Sequence, residues 1–267
     1  MSAPVLRILS LGAGVQSSTL YLMAVRGEFG GERPDVAIFA DTQWEPRDVY
    51  DWLGELQRIG GSVIPIQRVT AGNIREHIIA KSNTTGGRFA SVPWFLQMPN
   101  GEPAMGRRQC TKEYKLRPVQ REVVRRLGGR PKGGAEVWIG ISRDEASRMK
   151  PSRVQYIKNR WPLIERDMTR RDCLAWLSEH GYATVPKSSC IGCPFHSNAQ
   201  WRSLRETPDE WADAVSVDSA IRTQSGMRGR QFMHRSMLPL AEVDLSTPEE
   251  NGQVNMFENE CEGLCGV

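Results

Sequence analysis

Cys190 and Cys193 stand two residues apart in SSCIGCPFHSNAQW, and Cys110 in RRQCTKEYKLRP offers a third thiol from a distant basic segment. A C-x-x-C turn aims two sulfurs at one ion, and the third thiol makes the set a candidate site for an iron–sulfur cluster or a zinc ion. Gly192, inside the turn, is expected to supply the positive φ of a tight turn. The spacing sets geometry and leaves the metal open, because redox dithiols and zinc knuckles use the same pair.

The chain around these thiols has 267 residues, 39% hydrophobic and 25% charged, with six cysteines. That is the profile of a soluble globular protein of one large domain or two smaller ones. No apolar run approaches the ~20 residues that cross a bilayer. The N-terminus MSAPVLRILSLG lacks a basic region ahead of its short apolar stretch, so a cytoplasmic protein without membrane contact is expected. In a reducing compartment the cysteines point to ligand or redox chemistry rather than to a disulfide framework. The formal charge of +4 is concentrated in GRRQCTKEYKLRPVQREVVRR, SRDEASRMKPSR and ERDMTRR, which makes an anion the expected partner; solvated helix faces are the plain alternative.

The elements that must position these groups read as alternating strands and helices. VLRILSL (5–11) is a strand that runs into GAGVQSS and then into the helix STLYLMAVRG, with Leu20, Met23 and Ala24 at helical spacing. Gly12 and Gly14 permit close backbone approach. Gln16, Ser17 and Ser18 place polar groups at a helix N-terminus, where free N–H groups and the dipole favour phosphate or sulfate. The glycines match neither G-x-G-x-x-G nor the Walker pattern, so an ordinary tight turn stays open. A second strand, DVAIFADT, ends in Asp41 and Thr42 ahead of a helix starting near Pro46 with Val49, Trp52, Leu53 and Leu56 inward, and SVIPIQRV follows as a strand. A strand over 136–142, EVWIGIS, delivers Arg143, Glu145 and Arg148 to the same rim, where two arginines can clamp a phosphate or sulfate bidentately. Such alternation implies parallel βαβ units, with ligands at the carboxyl ends of the strands.

Several of these segments together resemble one family. SLGAGVQSSTL, beginning at Ser10, resembles the modified PP-loop of phosphoadenosine phosphosulfate (PAPS) and adenosine phosphosulfate (APS) reductases, within the adenine nucleotide alpha hydrolase superfamily. FADTQWEP resembles the family's strand-end motif with Asp-Thr then Glu, and GISRDEASR its Gly-x-Arg-x-x-Glu-Ser-x-Arg segment. WPLIERDMTRRDCLAWLSEHGY resembles the stretch before its cluster cysteines, and CTKEYKLRPV and CIGCP its two cluster segments. The resemblance covers about residues 5 to 200. It implies an adenine nucleotide (PAPS, APS or ATP) held by Ser10, Gly12, Gly14, Gln16, Ser17, Ser18, Asp41, Thr42, Lys115, Arg143, Glu145 and Arg148. It also implies a 4Fe-4S cluster on Cys110, Cys190 and Cys193, with zinc as the alternative.

Departures from the family bear on the reaction. Val15-Gln16 stands where the superfamily's ATP pyrophosphatases carry Lys-Asp, which weakens the case for pyrophosphate cleavage, although Arg108, Lys112 or Lys115 can bring charge from elsewhere. Thr111 replaces the second cysteine of the reductases' Cys-Cys pair. The fourth cluster position is then filled by Cys261 or Cys265, or is open to a sulfur or substrate atom. The tail NECEGLCGV resembles the family's terminal Glu-Cys-Gly and makes Cys261 the candidate nucleophile on sulfate sulfur, with Cys265 as resolving thiol; two cysteines closing a metal site are the alternative.

Cys173 reads as a buried small hydrophobe, and His77 and His180 as structural. His196 is a candidate to line the cluster, and His234 lies in a basic stretch without a motif. The segment 81–109, rich in proline and glycine with Phe89, Trp94, Phe95 and Met98, is expected to be an irregular substrate loop whose aromatics stack on a base. Ser197 or Asn198 should cap a helix whose positive end faces the cluster, and Thr111 one that Pro118 limits.

The sequence thus predicts an α/β protein with a parallel twisted sheet flanked by helices over 1–160, followed by a smaller helical region and C-terminal tail over 161–267. The leading function is an iron–sulfur oxidoreductase that reduces PAPS or APS to sulfite with electrons from a thioredoxin-like donor. The alternative is an ATP pyrophosphatase-type sulfurtransferase, using Mg with its ATP and a sulfur donor, that thiolates a nucleic acid or nucleoside. A third reading is a non-catalytic, zinc-stapled nucleotide-binding module.

Overall fold

In LRILSL successive side chains enter different cores. Leu9 and Leu11 join one apolar cluster and Ile8 another, so β1 (Leu6–Leu11) is covered on both faces, as a central parallel strand must be. β2 (Val36–Asp41) repeats the pattern, with Ala37 and Phe39 on one side and Val36 and Ile38 on the other. The computed structural model describes residues 5–86, 92–182, 184–224, 226 and 229–246. Its remaining strands are β3 (Ile66–Thr70), β4 (Phe95–Gln97), β5 (Pro103–Met105), β6 (Ala135–Ile139), β7 (Ile157–Arg160) and β8 (Arg230–Phe232). β1 and β2 pair with three of these in a parallel sheet ordered β3-β2-β1-β6-β7. The chain moves outward from β1 to β3 and then returns to place β6 on the other side of β1. The crevice at the carboxyl ends of β1 and β6 is therefore the switch point at which α/β sheets bind ligands.

Helices cover both faces. α1 (Val15–Val25) is buried on nearly every side, so its apolar residues exceed one stripe. α2 (Arg47–Gly60) packs Val49, Trp52, Leu53 and Leu56 on the same layer, as the periodicity predicts. α3 (Ile74–Ile79) follows β3, and α4 (Arg117–Leu127) covers the opposite face through Val123. After β7, α5 (Pro162–Glu165) and α6 (Arg170–Glu179) still pack on the sheet, with Leu163, Cys173 and Leu177 in the α1 layer. α7 (Asn198–Arg205) and α8 (Pro208–Ile221) instead build a separate core with α3, from Ile74, Trp201, Leu204, Val217 and Met233. Asp218 of α8 is 1% exposed and accepts from Met233 N (2.9 Å) and Leu240 N (3.0 Å) while pairing with Arg222, which fastens the 230–240 segment to the helix. Among the described residues no helix is long and apolar enough to cross a membrane.

Three local expectations change. The sixth strand stops at Ile139 rather than Ser142: a Cβ on Gly140 would lie 2.8 Å from both N and Cα of Ser17, so the chain there passes against the first turn of α1. The segment 81–109 carries β4 and β5, which join β8 in an antiparallel sheet ordered β5-β4-β8. Thr111 does not precede a helix as its cap; it opens a π-helical turn, Thr111–Leu116, with Cys110 at the N-cap position. Pro118 falls in the first turn of α4, where proline is tolerated.

Candidate functional site

The loop after β1 is closed by its own side chains. Ser17 Oγ accepts from Gly12 N (3.2 Å) and donates to the Gly14 carbonyl (3.2 Å). Ala13, fully buried, takes the left-handed conformation (φ 60°), whereas Gly14 has φ −93°. Gly14 serves close approach, as expected: a Cβ there would sit 3.2 Å from the Ser188 Cβ. Ser18 turns into the core, where its Oγ accepts from Trp52 Nε1 (2.8 Å). Gln16 is 4% exposed, and its Nε2 donates to Glu145 Oε2 (3.0 Å) and Ser142 Oγ (3.4 Å).

Beside this loop lies a cavity of about 660 Å³ between the sheet and α4. Its apolar floor comes from Ile38, Phe39, Val137, Ile139 and Val119, and Ser10 and Gly12 reach it from the loop. Arg108, Lys112, Lys115, Arg117, Arg148, Lys150 and Arg153 line it, and among the described lining residues there is no carboxylate. Such a cavity selects a ligand with an apolar part and several negative charges. The π-helical turn matters here, since it presents both Lys112 and Lys115 to the cavity.

Other predicted residues sit elsewhere. Arg148 lines the cavity and pairs with Glu145. Arg143 points outward to an ion pair with Asp167 (2.7 Å), both side chains more than half exposed, so the two-arginine clamp is not formed. Asp41 Oδ1 accepts from Gln43 N (2.7 Å) and Tyr50 OH (2.8 Å), tying the strand end to α2.

A second, smaller cavity of about 50 Å³ adjoins the first and shares Arg108, Thr111, Lys115 and Ser188 with it. Cys110, Cys190 and Cys193 all line it, with Thr42, Trp44 and Phe195. Gly192 does not take the expected positive φ. Its glycine is required by packing: a Cβ would lie 2.1 Å from Trp44 Cη2. Trp94, 2% exposed, donates from Nε1 to the Gly192 carbonyl (3.2 Å) and so roofs the turn instead of offering a face to a base; Phe89 lies outside the described residues. His196 Nε2 bonds the Cys190 carbonyl (3.0 Å), closing the turn, and burial lowers its pKa to about 4. Ser197 caps α7 through a capping box with Gln200, as expected.

Burial pushes the Cys190 thiol up, and Glu45 beside it adds to the effect against Lys115. Thr42 Oγ1 lies 3.2 Å from Cys190 Sγ and 2.8 Å from Glu45 Oε1, and Lys115 Nζ is 3.6 Å from the same carboxylate oxygen. Glu45 Oε2 is buried with no hydrogen-bond partner among the described residues. Glu45, the glutamate of the FADTQWEP motif, and Ser188 were not among the nucleotide- or metal-binding residues the sequence reading chose; the motif was the signal for Glu45, and Ser188 had none. Three thiols on one cavity are a donor set suited to a soft metal or an iron–sulfur cluster. Among the described residues, however, no three His, Cys, Asp or Glu side chains form a group that could hold an ion, and Cys261 and Cys265 lie outside the described residues. Cys173 is buried in the core, its thiol pushed up to about 12 by burial, and takes no part.

No protein-family model matches the chain, and no curated protein matches it. Among solved structures it is similar to a phosphoadenylyl-sulfate (PAPS) reductase from Candida auris, solved as a phosphate complex, at 14% identity and a TM-score of 0.41, over 70% of this chain and 76% of that one. The parallel five-stranded α/β architecture stands on the strand pairing described above.

Proposed function

We propose that the chain is an enzyme of sulfur chemistry that binds an adenine nucleotide in the larger cavity and reduces PAPS or APS to sulfite. One observation carries the reading: seven arginines and lysines and no described carboxylate line a cavity with an apolar floor, at the switch point of a parallel sheet. The apolar floor suits a base, and the cations suit the phosphates and sulfate. Lys115, on both cavities, links the nucleotide to the cysteines.

Cys110, Cys190 and Cys193 would hold the metal centre, a 4Fe-4S cluster with zinc as the alternative, and a cluster would supply charge and redox chemistry beside the phosphosulfate. In the proposed reaction the Cys261 thiolate forms a bond to the sulfate sulfur as the S–O bond to the nucleotide phosphate breaks, leaving a thiosulfonate and the nucleotide. Cys265 then attacks the Cys261 sulfur, sulfite leaves, and a disulfide forms that a thioredoxin-like dithiol reduces.

The test is product analysis on protein purified without oxygen and supplied with a dithiol. Sulfite from PAPS or APS, abolished in Cys261→Ser, is the expected result. AMP and pyrophosphate from ATP, without sulfite from either phosphosulfate, would replace this reading with the adenylating sulfurtransferase.

A further inference from the structure

We propose that Gln16 is a positioning residue that sets the aim of Arg148 through Glu145; the inference rests on reading the larger cavity as an anion site. Gln16 is not among the residues that line the cavity, and it is 4% exposed. Its amide nevertheless donates to one oxygen of Glu145 (3.0 Å), whose other oxygen takes Nη1 of Arg148. Arg148 does line the cavity, and its Nε is buried with no hydrogen-bond partner among the described residues.

The local backbone gives Gln16 this leverage. Glu145 leaves helical geometry within the turn Arg143–Arg148 (φ −108°, ψ 16°), so its carboxylate is held by side-chain contacts rather than by a regular helix. Gln16 sits in the first turn of α1, directly after the loop. It thereby joins the loop to the rim. Its neutral amide also draws on the Glu145 charge, leaving the Arg148 guanidinium more available to a ligand anion. Because Arg143 is turned outward to Asp167, Arg148 is the one of the two rim arginines that this relay can present.

The test is a double-mutant cycle read by calorimetric titration with ATP, APS and PAPS, folding being checked by thermal unfolding. Gln16→Ala should weaken binding of the best of these ligands about tenfold in the wild-type background and less than about twofold in an Arg148→Ala background. Gln16→Glu, which sets two carboxylates against each other, should weaken it further. Equal losses in both backgrounds would overturn the relay and place Gln16's effect in the loop itself, and wild-type affinity in Gln16→Ala would overturn it outright. If Gln16→Ala does not fold, Glu145→Gln takes its place: its change in affinity should disappear in the Arg148→Ala background, and persistence there overturns the proposal. A wild-type protein that binds none of the three ligands would instead overturn the reading of the cavity.

Discussion

Gly192→Ala tests whether the C-x-x-C turn is shaped by packing or by backbone conformation. The new Cβ would fall 2.1 Å from Cη2 and 2.5 Å from Cζ3 of Trp44, and 3.0 Å from Met233 Cε. Carbon atoms rest at about 3.5–4 Å, so the indole must retreat by more than about 1 Å. It has little freedom to do so: Trp44 is 5% exposed, and its Nε1 donates to Asp213 Oδ2 at 2.7 Å. Overpacking of this kind costs about 1–3 kcal/mol, and a strained or lost indole hydrogen bond adds about 1 kcal/mol. The melting temperature should drop by roughly 4–7 °C for a chain of this length. Differential scanning calorimetry measures it, and Trp44→Phe, which shortens the ring, should recover part of the loss when combined with Gly192→Ala. A change below about 0.5 kcal/mol, or a loss that Trp44→Phe leaves untouched, would refute the packing explanation.

Ser17→Ala should open the loop and weaken nucleotide binding, whereas Ser18→Ala should leave binding intact and lower stability by about 1–2 kcal/mol in urea unfolding, because its oxygen serves Trp52 in the core. Asp218→Ala strands two buried N–H groups and Arg222, so denaturation should show a loss of about 3–5 kcal/mol. Burial holds His234 neutral with a pKa lowered to about 4 from 6.5. The unfolded chain therefore binds the proton first, so stability is fully present above pH 6.5 and falls as pH drops from 6.5 towards 4. His196, also lowered to about 4, adds to the same slope, so His234→Gln should make it shallower without removing it in a pH series of unfolding midpoints.

What the sequence revealed follows the length of each signal. β1, β2, α1 and α2 were legible because their apolar periodicities run over five or more residues and agree with a two-faced sheet. β4, β5 and β8 are three residues each, too short for a periodicity to show; β4 and β5 form a local hairpin, while β4 meets β8 across more than a hundred positions. Gly192 was singled out for conformation, when Trp44, far along the chain, is what excludes a side chain; Gly14 was read as a point of close approach, and Ser188 is the neighbour that approaches it. Gly140 gave no hint for the same reason. The basic segments around Cys110 and Arg148 were visible as charge runs, yet their convergence on one cavity is a property of the sheet order, as is the outward turn of Arg143. Ser18, in a polar run with Ser17, could not be separated from it without knowing where Trp52 lies.

In the proposed function the cavity lined by Arg108, Lys112, Lys115 and Arg148 holds an adenine nucleotide through its charge and its apolar floor. Calorimetric titration of the wild-type protein with PAPS, APS and ATP at low and high salt measures this directly. Saturable one-to-one binding of at least one of them is expected, weakened as salt rises and reduced about tenfold or more by Arg148→Ala or Lys112→Ala. Absence of binding by all three, or binding indifferent to salt and to both substitutions, would contradict it.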